Sequence, residues 1–230
     1  IPVSNVPCYS TSAVAQLVFA FILEHTNRVA LHSEAVHGGE WSSCPNFCFW
    51  KSPLTELQGK TIGIIGYGKI GKAVDKIAEA FSMDVLANSR SAKVGDCDGA
   101  VRFVEIDELL EKSDFVTLHC PLTPQTKHMI NKDTLALMKP TAFLINTSRG
   151  ALVDEPALIE ALENHQIAGA GLDVQETEPP KADNPLYTLD NVILTPHMGW
   201  KGLETRQRLV SILAGNVKGF LKGTPVNVVS

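Results

Sequence analysis

The chain has 230 residues, 44% of them hydrophobic and 20% charged, enough to bury a sizeable core as one large domain or one and a half ordinary ones. Its net charge of −5 and lack of a basic cluster argue against a nucleic-acid partner. No apolar run approaches the ~20 residues of a membrane helix, and the opening "IPVSNVPCYS" lacks the basic start and apolar core of a signal peptide.

The first predicted element is a long apolar helix over residues 10–27, followed by an irregular arm, "HGGEWSSCPNFCFWKSP". From Lys60 onward, short apolar runs alternate with helical patterns. "TIGIIG" reads as a buried strand, and the next segment places Ile70, Ala73, Val74, Ile77 and Phe81 at helical spacing. "DVLAN" and "VRFVEI" read as strands, "DELLEKS" as a short helix and "DFVTLHC" as a fourth strand. "NKDTLALMKP" is a helix capped by Asn131 and stopped by Pro140. "TAFLIN" is a strand, and "VDEPALIEALENH" is a helix with Asp154 as cap and Pro156 in its first turn. "AGAGLDV" and "NVILTPH" close the series, and an amphipathic helix ends at Gly223. Such alternation implies a doubly wound parallel α/β sheet, covered by helices on both faces. The two terminal helices fall outside this rhythm and are expected to pack on something other than the sheet.

Five cysteines (Cys8, Cys44, Cys48, Cys97 and Cys120) form no paired framework and read as free thiols of a reducing cytoplasm. Cys44 and Cys48 have no second Cys or His pair to complete a metal site, so no metal is expected.

Between a strand and a helix, Gly66, Gly68 and Gly71 form G-x-G-x-x-G. The first glycine permits a tight turn, the second lets a pyrophosphate approach the backbone, and the third lets helix and strand lie close. The strand after this motif should end beside the adenosine ribose. An acid there would suit NAD; Ser89 and Arg90 instead offer a hydroxyl and a cation, which suit a 2′-phosphate. NADP is therefore preferred over NAD, the alternative being that Arg90 is a solvated surface charge. Three further groups lie at later strand ends, where such sheets bind ligands: Arg149, Asp173 with Glu178 in the following loop, and His197. An arginine fork matches a carboxylate with an adjacent carbonyl, and a histidine exchanges a proton near neutral pH. A glutamate beside such a histidine fixes its tautomer and favours its cation. His25, His32, His37, His128 and His165 have no such setting and read as structural or surface residues, while His119 lines the cofactor groove without an evident partner.

The segments "GYGKIG", "HCPLTPQT", "INTSRGALVDEPALIEAL", "AGAGLDVQETEP" and "TPHMGW" together resemble the D-isomer-specific 2-hydroxyacid dehydrogenases, in order over nearly the whole chain. The resemblance implies a Rossmann-type NAD(P)-binding domain and hydride transfer between the cofactor and C2 of a small 2-oxo or 2-hydroxy acid. It implies that Arg149 orients the oxo acid, that His197 is the general acid/base, and that Glu178 rather than Glu176 partners it. It implies that Asp173 holds the nicotinamide carboxamide. Lys69 and Ile70 would contact the pyrophosphate through their backbone, and Pro121 and Thr126 would lie near the cofactor. Thr147, Ser148 and Gly199 are further implied cofactor contacts, and Trp200 an implied substrate contact.

"AVAQLVFAFIL" and Trp200 look most like the glycerate dehydrogenase or hydroxypyruvate reductase branch. Hydroxypyruvate and glyoxylate are the expected substrates and a homodimer the expected assembly. Cys8 stands where many relatives have glycine. Residues 1–199 read as the cofactor domain, including a dimerisation arm over about 10–55, and residues 200–230 as a helix and tail returning to a substrate-binding lobe. Family members usually begin with that lobe, so a chain starting at Ile1 reads as a portion of a longer protein. Phosphoglycerate dehydrogenase is the rival enzyme; it favours an acid at the ribose position and often carries a regulatory extension. A cofactor-sensing corepressor is the rival of another class, which turnover on 2-oxo acids would exclude.

Overall fold

A computed structural model of the chain describes residues 2–229. Eight strands form one sheet in the order β3-β4-β2-β1-β5-β6-β7-β8. The central strands are β1 (Thr61–Ile65), β2 (Asp84–Asn88), β5 (Phe115–Leu118), β6 (Phe143–Asn146) and β7 (Gly169–Leu172), with β4 (Val101–Phe103) and β8 (Val192–Leu194) further out. All of these pair in parallel; the two-residue β3 (Cys97–Asp98) alone runs antiparallel, against β4.

Side-chain alternation along the strands splits the interior into two cores. Ile62, Ile64, Val85, Ala87, Phe115, Phe143 and Ile145 face one way, onto α1 (Thr11–Asn27) and α3 (Lys69–Ala80). Ile65, Leu86, Val116, Leu118, Leu144 and Leu172 face the other, onto α4 (Ile106–Lys112), α5 (Lys132–Leu137) and α6 (Glu155–Glu163). Both faces are covered, which is why the strands read as continuous apolar runs rather than alternating ones.

Several elements differ from expectation. Helix α1 packs on the sheet, with Val18, Phe21 and Ile22 fully buried. Gly171 makes this possible, since a Cβ there would meet Phe21 Cγ at 2.7 Å. The segment expected as a dimerisation arm over about 10–55 is thus divided. Its first part belongs to the core, and the exposed apolar residues lie beyond it, at Val29, Val36, Trp41, Phe47, Trp50 and Leu54. A further helix, α2 (Val29–His37), follows Arg28, whose left-handed backbone turns the chain between the two helices. Helix α5 ends at Leu137, with Met138 already extended, short of Pro140, which disfavours helix at Lys139 before it. Its Asn131 cap and the Asp154 cap of α6 form as predicted.

The last helix, α7 (Leu203–Leu221), does leave the sheet. It is tied to the N-terminal segment by Arg208 Nε donating to the Tyr9 carbonyl (3.0 Å) and Asn216 Nδ2 to that of Asn5 (2.8 Å). Leu203, Val210, Leu213, Val217 and Phe220 along it are exposed.

Two histidines sit where burial disfavours their charge. His25 stacks on Phe143 with ring centroids 4.1 Å apart, and desolvation, aided by Arg28, pushes its pKa down to about 4. Burial pushes that of His119 down to about 3. Above pH 6.5 neither state carries these protons. As pH falls from about 6.5 toward 4 the unfolded chain takes them up and the folded chain does not, so stability falls with pH across that window. His25→Phe, which keeps a ring on Phe143, is expected to flatten the decline in melting temperature between pH 7 and pH 5. An unchanged slope would remove His25 from this account.

Candidate active site

The strand order reverses between β1 and β5, and a crevice opens beyond their carboxyl ends, where doubly wound sheets bind ligands. Gly66 follows β1 with φ +101°, a backbone conformation open to glycine. A Cβ on it would meet the Cys120 nitrogen at 2.5 Å, so the turn is pressed against the end of β5. Gly68 caps α3 with no side chain on the helix end, and a Cβ there would meet nothing within 4 Å. Gly71 packs back on the Gly66 carbonyl, 2.6 Å from where its Cβ would stand. The three glycines thus provide a tight turn, an open helix N-terminus and a close helix–strand contact, the cradle a dinucleotide pyrophosphate requires.

Beside this turn lies a cleft of about 650 Å³. It gathers Ile70, Pro121, Thr147, Ser148, Arg149, Asp173, His197, Gly199 and Trp200 from the ends of five elements. His119, Cys120 and Leu122 also line it, as do Tyr9, Ser10 and Val14, which sequence reasoning missed because their link to the site is purely spatial. Thr126, expected near the cofactor, is turned into its own loop. Its hydroxyl donates to the Pro121 carbonyl (2.7 Å) and accepts from Thr123 N–H (2.8 Å), which shapes the segment carrying Pro121. The Lys69 ammonium contacts Cys8 Sγ at 2.8 Å.

Asp173 organises one side of the cleft. Its carboxylate is 2% exposed and accepts three hydrogen bonds: from Thr195 Oγ1 (2.6 Å), Met198 N–H (2.8 Å) and Gly199 N–H (2.8 Å). The loop so held presents His197, whose backbone takes the left-handed φ of 51°. His197 Nδ1 is 2.7 Å from Glu178 Oε2, and Glu178 Oε1 accepts from Gln175 N–H (3.1 Å). The neighbouring Glu176 goes instead to His128, 2.9 Å from its Nε2. His128 is therefore paired, and the two glutamates of the "ETEP" segment are sorted by geometry. His197 also borders a second, largely apolar cavity of about 550 Å³ with Pro179, Pro180, Tyr187, Leu194 and Pro196.

Across the cleft, the Arg149 loop is pinned by a buried amide. Asn146 Nδ2 donates to the Arg149 carbonyl (2.8 Å) and its Oδ1 accepts from Ser148 N–H (3.0 Å), while Ser148 Oγ donates to the Leu118 carbonyl (2.6 Å). The guanidinium is exposed and forms no ion pair among the described residues; its Nη1 donates to the Ser148 carbonyl. Ser89 lies by a separate cavity of about 400 Å³ with Tyr67, Lys72 and Ser91, and its hydroxyl is 3.0 Å from that of Ser91. Arg90 is likewise without an ion pair among the described residues, and its charge reaches the Cys120 thiol on the groove wall.

The residues also fit a dinucleotide by their unmet needs. Among the described residues, His119 Nδ1 and Thr147 Oγ1 are buried without partners, and both residues line the cleft. A ligand rich in hydroxyl and phosphate oxygens supplies such partners.

The family profile described as the NAD binding domain of D-isomer specific 2-hydroxyacid dehydrogenases matches residues 19–199. The chain belongs to that family. It is 48% identical over 230 residues to a hydroxypyruvate reductase of Blautia hydrogenotrophica, covering all of this chain and 71% of that protein. It is 42% identical over 231 residues to a glycerate dehydrogenase of Methylorubrum extorquens, with the same coverage. An acyclic imino acid reductase solved with NADPH and D-Arg superposes with a TM-score of 0.88 at 38% identity, over 100% of this chain and 71% of that one. The dehydrogenase is thus an NAD(P)-dependent oxidoreductase acting on hydroxy acids, and its resemblance to the glycerate dehydrogenase and hydroxypyruvate reductase branch is borne out.

Gly150 brings the two halves of the site together, because a Cβ on it would run into the backbone of Gln175 and Glu176. Gly150→Ala must push the Arg149 loop away from the loop carrying Glu178. It is expected to cost about 1–3 kcal/mol in chemical denaturation, with a fall in kcat/KM. A variant with wild-type stability and turnover would show that the two loops are not coupled there.

Proposed function

We propose that this dehydrogenase reduces hydroxypyruvate or glyoxylate, with NADPH preferred over NADH. The observation that carries the reading is the His197–Glu178 contact at 2.7 Å, in a cleft that also holds the guanidinium of Arg149, which has no ion pair among the described residues.

The bound reduced dinucleotide supplies the hydride that reaches C2 of the oxo acid. His197 gives its proton to the C2 oxygen as negative charge develops there, and takes it back in the oxidative direction. Glu178 holds Nδ1, which leaves Nε2 as the nitrogen free to exchange a proton with substrate. Arg149 binds the carboxylate and the adjacent oxo oxygen through its planar fork. Trp200 borders the substrate. Asp173 takes the nicotinamide carboxamide through the acceptor capacity that its three loop donors leave over. Gly66, Gly68, Lys69, Ile70 and Gly71 receive the pyrophosphate. Pro121, Thr126, Thr147, Ser148 and Gly199 belong to the cofactor side, Thr126 by shaping the loop that carries Pro121.

Preference for NADPH is supported by Ser89 and Arg90 after β2, with no carboxylate at either position and no ion pair on Arg90 among the described residues. Residues 1–199 are assigned to the cofactor domain and 200–230 to a terminal element that serves a substrate lobe. The chain spans 71% of the length of the hydroxypyruvate reductase and glycerate dehydrogenase relatives, and α7 leaves an apolar stripe exposed. The exposed Trp41, Phe47 and Trp50, Phe47 at 92%, support a homodimer through the arm. Five unpaired cysteines fit a reducing cytoplasm, and no described helix is long and apolar enough to cross a membrane.

Steady-state kinetics of the full-length protein with hydroxypyruvate, glyoxylate and pyruvate, each with NADH and NADPH, tests the substrate and cofactor assignments. His197→Ala is expected to lower kcat about 10²–10⁴-fold while dinucleotide affinity is retained; a fully active variant would refute its role. Arg90→Ala should weaken NADPH about tenfold or more, the worth of a charge-assisted hydrogen bond, and leave NADH nearly unchanged. Equal effects on both cofactors would return Arg90 to the status of a surface charge.

A further inference from the structure

Three buried side-chain polar atoms among the described residues have no hydrogen-bond partner: Ser52 Oγ, His119 Nδ1 and Thr147 Oγ1. Two of the three belong to residues that line the dinucleotide groove, His119 and Thr147, and the His119 atom is the more informative.

Its tautomer follows from counting donors and acceptors. Thr117 is fully buried in β5, and its hydroxyl has one side-chain partner, His119 Nε2 at 3.0 Å. If Nε2–H donated to Thr117 Oγ1, the threonine proton and the Nδ1 lone pair would both go unmet. If the hydroxyl donates to Nε2, a single group is left over, the Nδ1–H. Burial of polar groups favours the second arrangement because it strands fewer of them. The ring is neutral, since desolvation holds its pKa near 3.

The position of His119 is equally constrained. Its N–H donates to the Ile65 carbonyl at 2.7 Å, and its own carbonyl carbon stands 2.5 Å from where a Cβ on Gly66 would be. The residue is therefore locked to the turn that receives the pyrophosphate, at the point where the strand order reverses.

We propose that His119 is a cofactor-positioning residue: Thr117 fixes its tautomer so that Nδ1–H donates to a pyrophosphate or ribose oxygen of the bound dinucleotide. The proposal rests on the reading of this groove as the dinucleotide site and adds a contact to it. The donor is uncharged, so its contribution is the same for NADH and NADPH and does not vary between pH 5 and 8. In this it differs from Arg90, which discriminates between the two.

The test uses the full chain and two readouts besides turnover. In imidazole ¹⁵N spectra, assigned against His119→Asn, wild-type His119 is expected as the Nδ1–H tautomer that does not titrate down to pH 5. Its Nδ1 proton should shift on addition of NADH. In fluorescence titrations, His119→Phe should weaken NADH and NADPH alike, by roughly three- to tenfold, the worth of one neutral hydrogen bond. His119→Asn, whose amide nitrogen can occupy the Nδ1 position, should restore affinity to within about twofold, whereas His119→Gln should not. An Nε2–H tautomer, an Nδ1 proton indifferent to NADH, or a His119→Phe variant with wild-type affinity overturns the proposal and leaves the groove reading standing. A wild-type chain that binds neither dinucleotide overturns both. If His119→Phe does not fold, the wild-type tautomer and its response to NADH decide the matter alone.

Discussion

The site depends on one buried carboxylate. Asp173 sits just past β7 and accepts from three donors of the loop that follows β8, so the charge is compensated although water is excluded. A buried carboxylate with several N–H and O–H partners is stiff, because releasing any one of them leaves charge without a partner. That stiffness is transmitted to the left-handed backbone of His197 and hence to its contact with Glu178. Asp173 is therefore the foundation on which the acid/base pair stands, whatever it also offers a cofactor.

A second device recurs around the crevice: backbone brought against backbone where a side chain is missing. Gly66 against Cys120 and Gly150 against Gln175 and Glu176 each join two segments distant in sequence, and Gly71 against Gly66 closes the turn between β1 and α3. These contacts draw the ends of β1, β5, β6 and β7 into one groove. Beside that groove the protein leaves two arginines un-neutralised: neither Arg149 nor Arg90 has a carboxylate partner among the described residues. Cations without protein counterions beside a groove are what an anionic substrate and a phosphorylated cofactor call for.

Much of this was legible in the chain itself. The Asn131 and Asp154 caps, the glycine turn and the fully apolar strands carry local signals, since each depends on residues a few positions apart. Element β3 was missed because two residues are too few for a periodicity, although Asp98-Gly99 is a turn signal. Helix α1 was expected away from the sheet, because nothing in "AVAQLVFAFIL" says which surface it covers. Gly171, about 150 residues later, makes room for Phe21 and decides it. Glu178 and Glu176 could not be separated by spacing alone; resemblance favoured Glu178, and the fold brings Glu178 to His197 and Glu176 to His128.

The class of fold, the dinucleotide turn and the residue types able to bind an oxo acid and move a proton are written in the order of residues along the chain. Periodicity, capping and glycine spacing are short-range, so they are carried by neighbouring residues whatever the rest of the chain does. Which donors the Asp173 carboxylate holds and which way the Thr126 hydroxyl turns emerge from the packed fold. It alone showed that His119 is left with an unmet nitrogen. Those are questions of hydrogen-bond satisfaction, and satisfaction is a property of neighbours in space, which for Asp173 come from more than twenty residues along the chain.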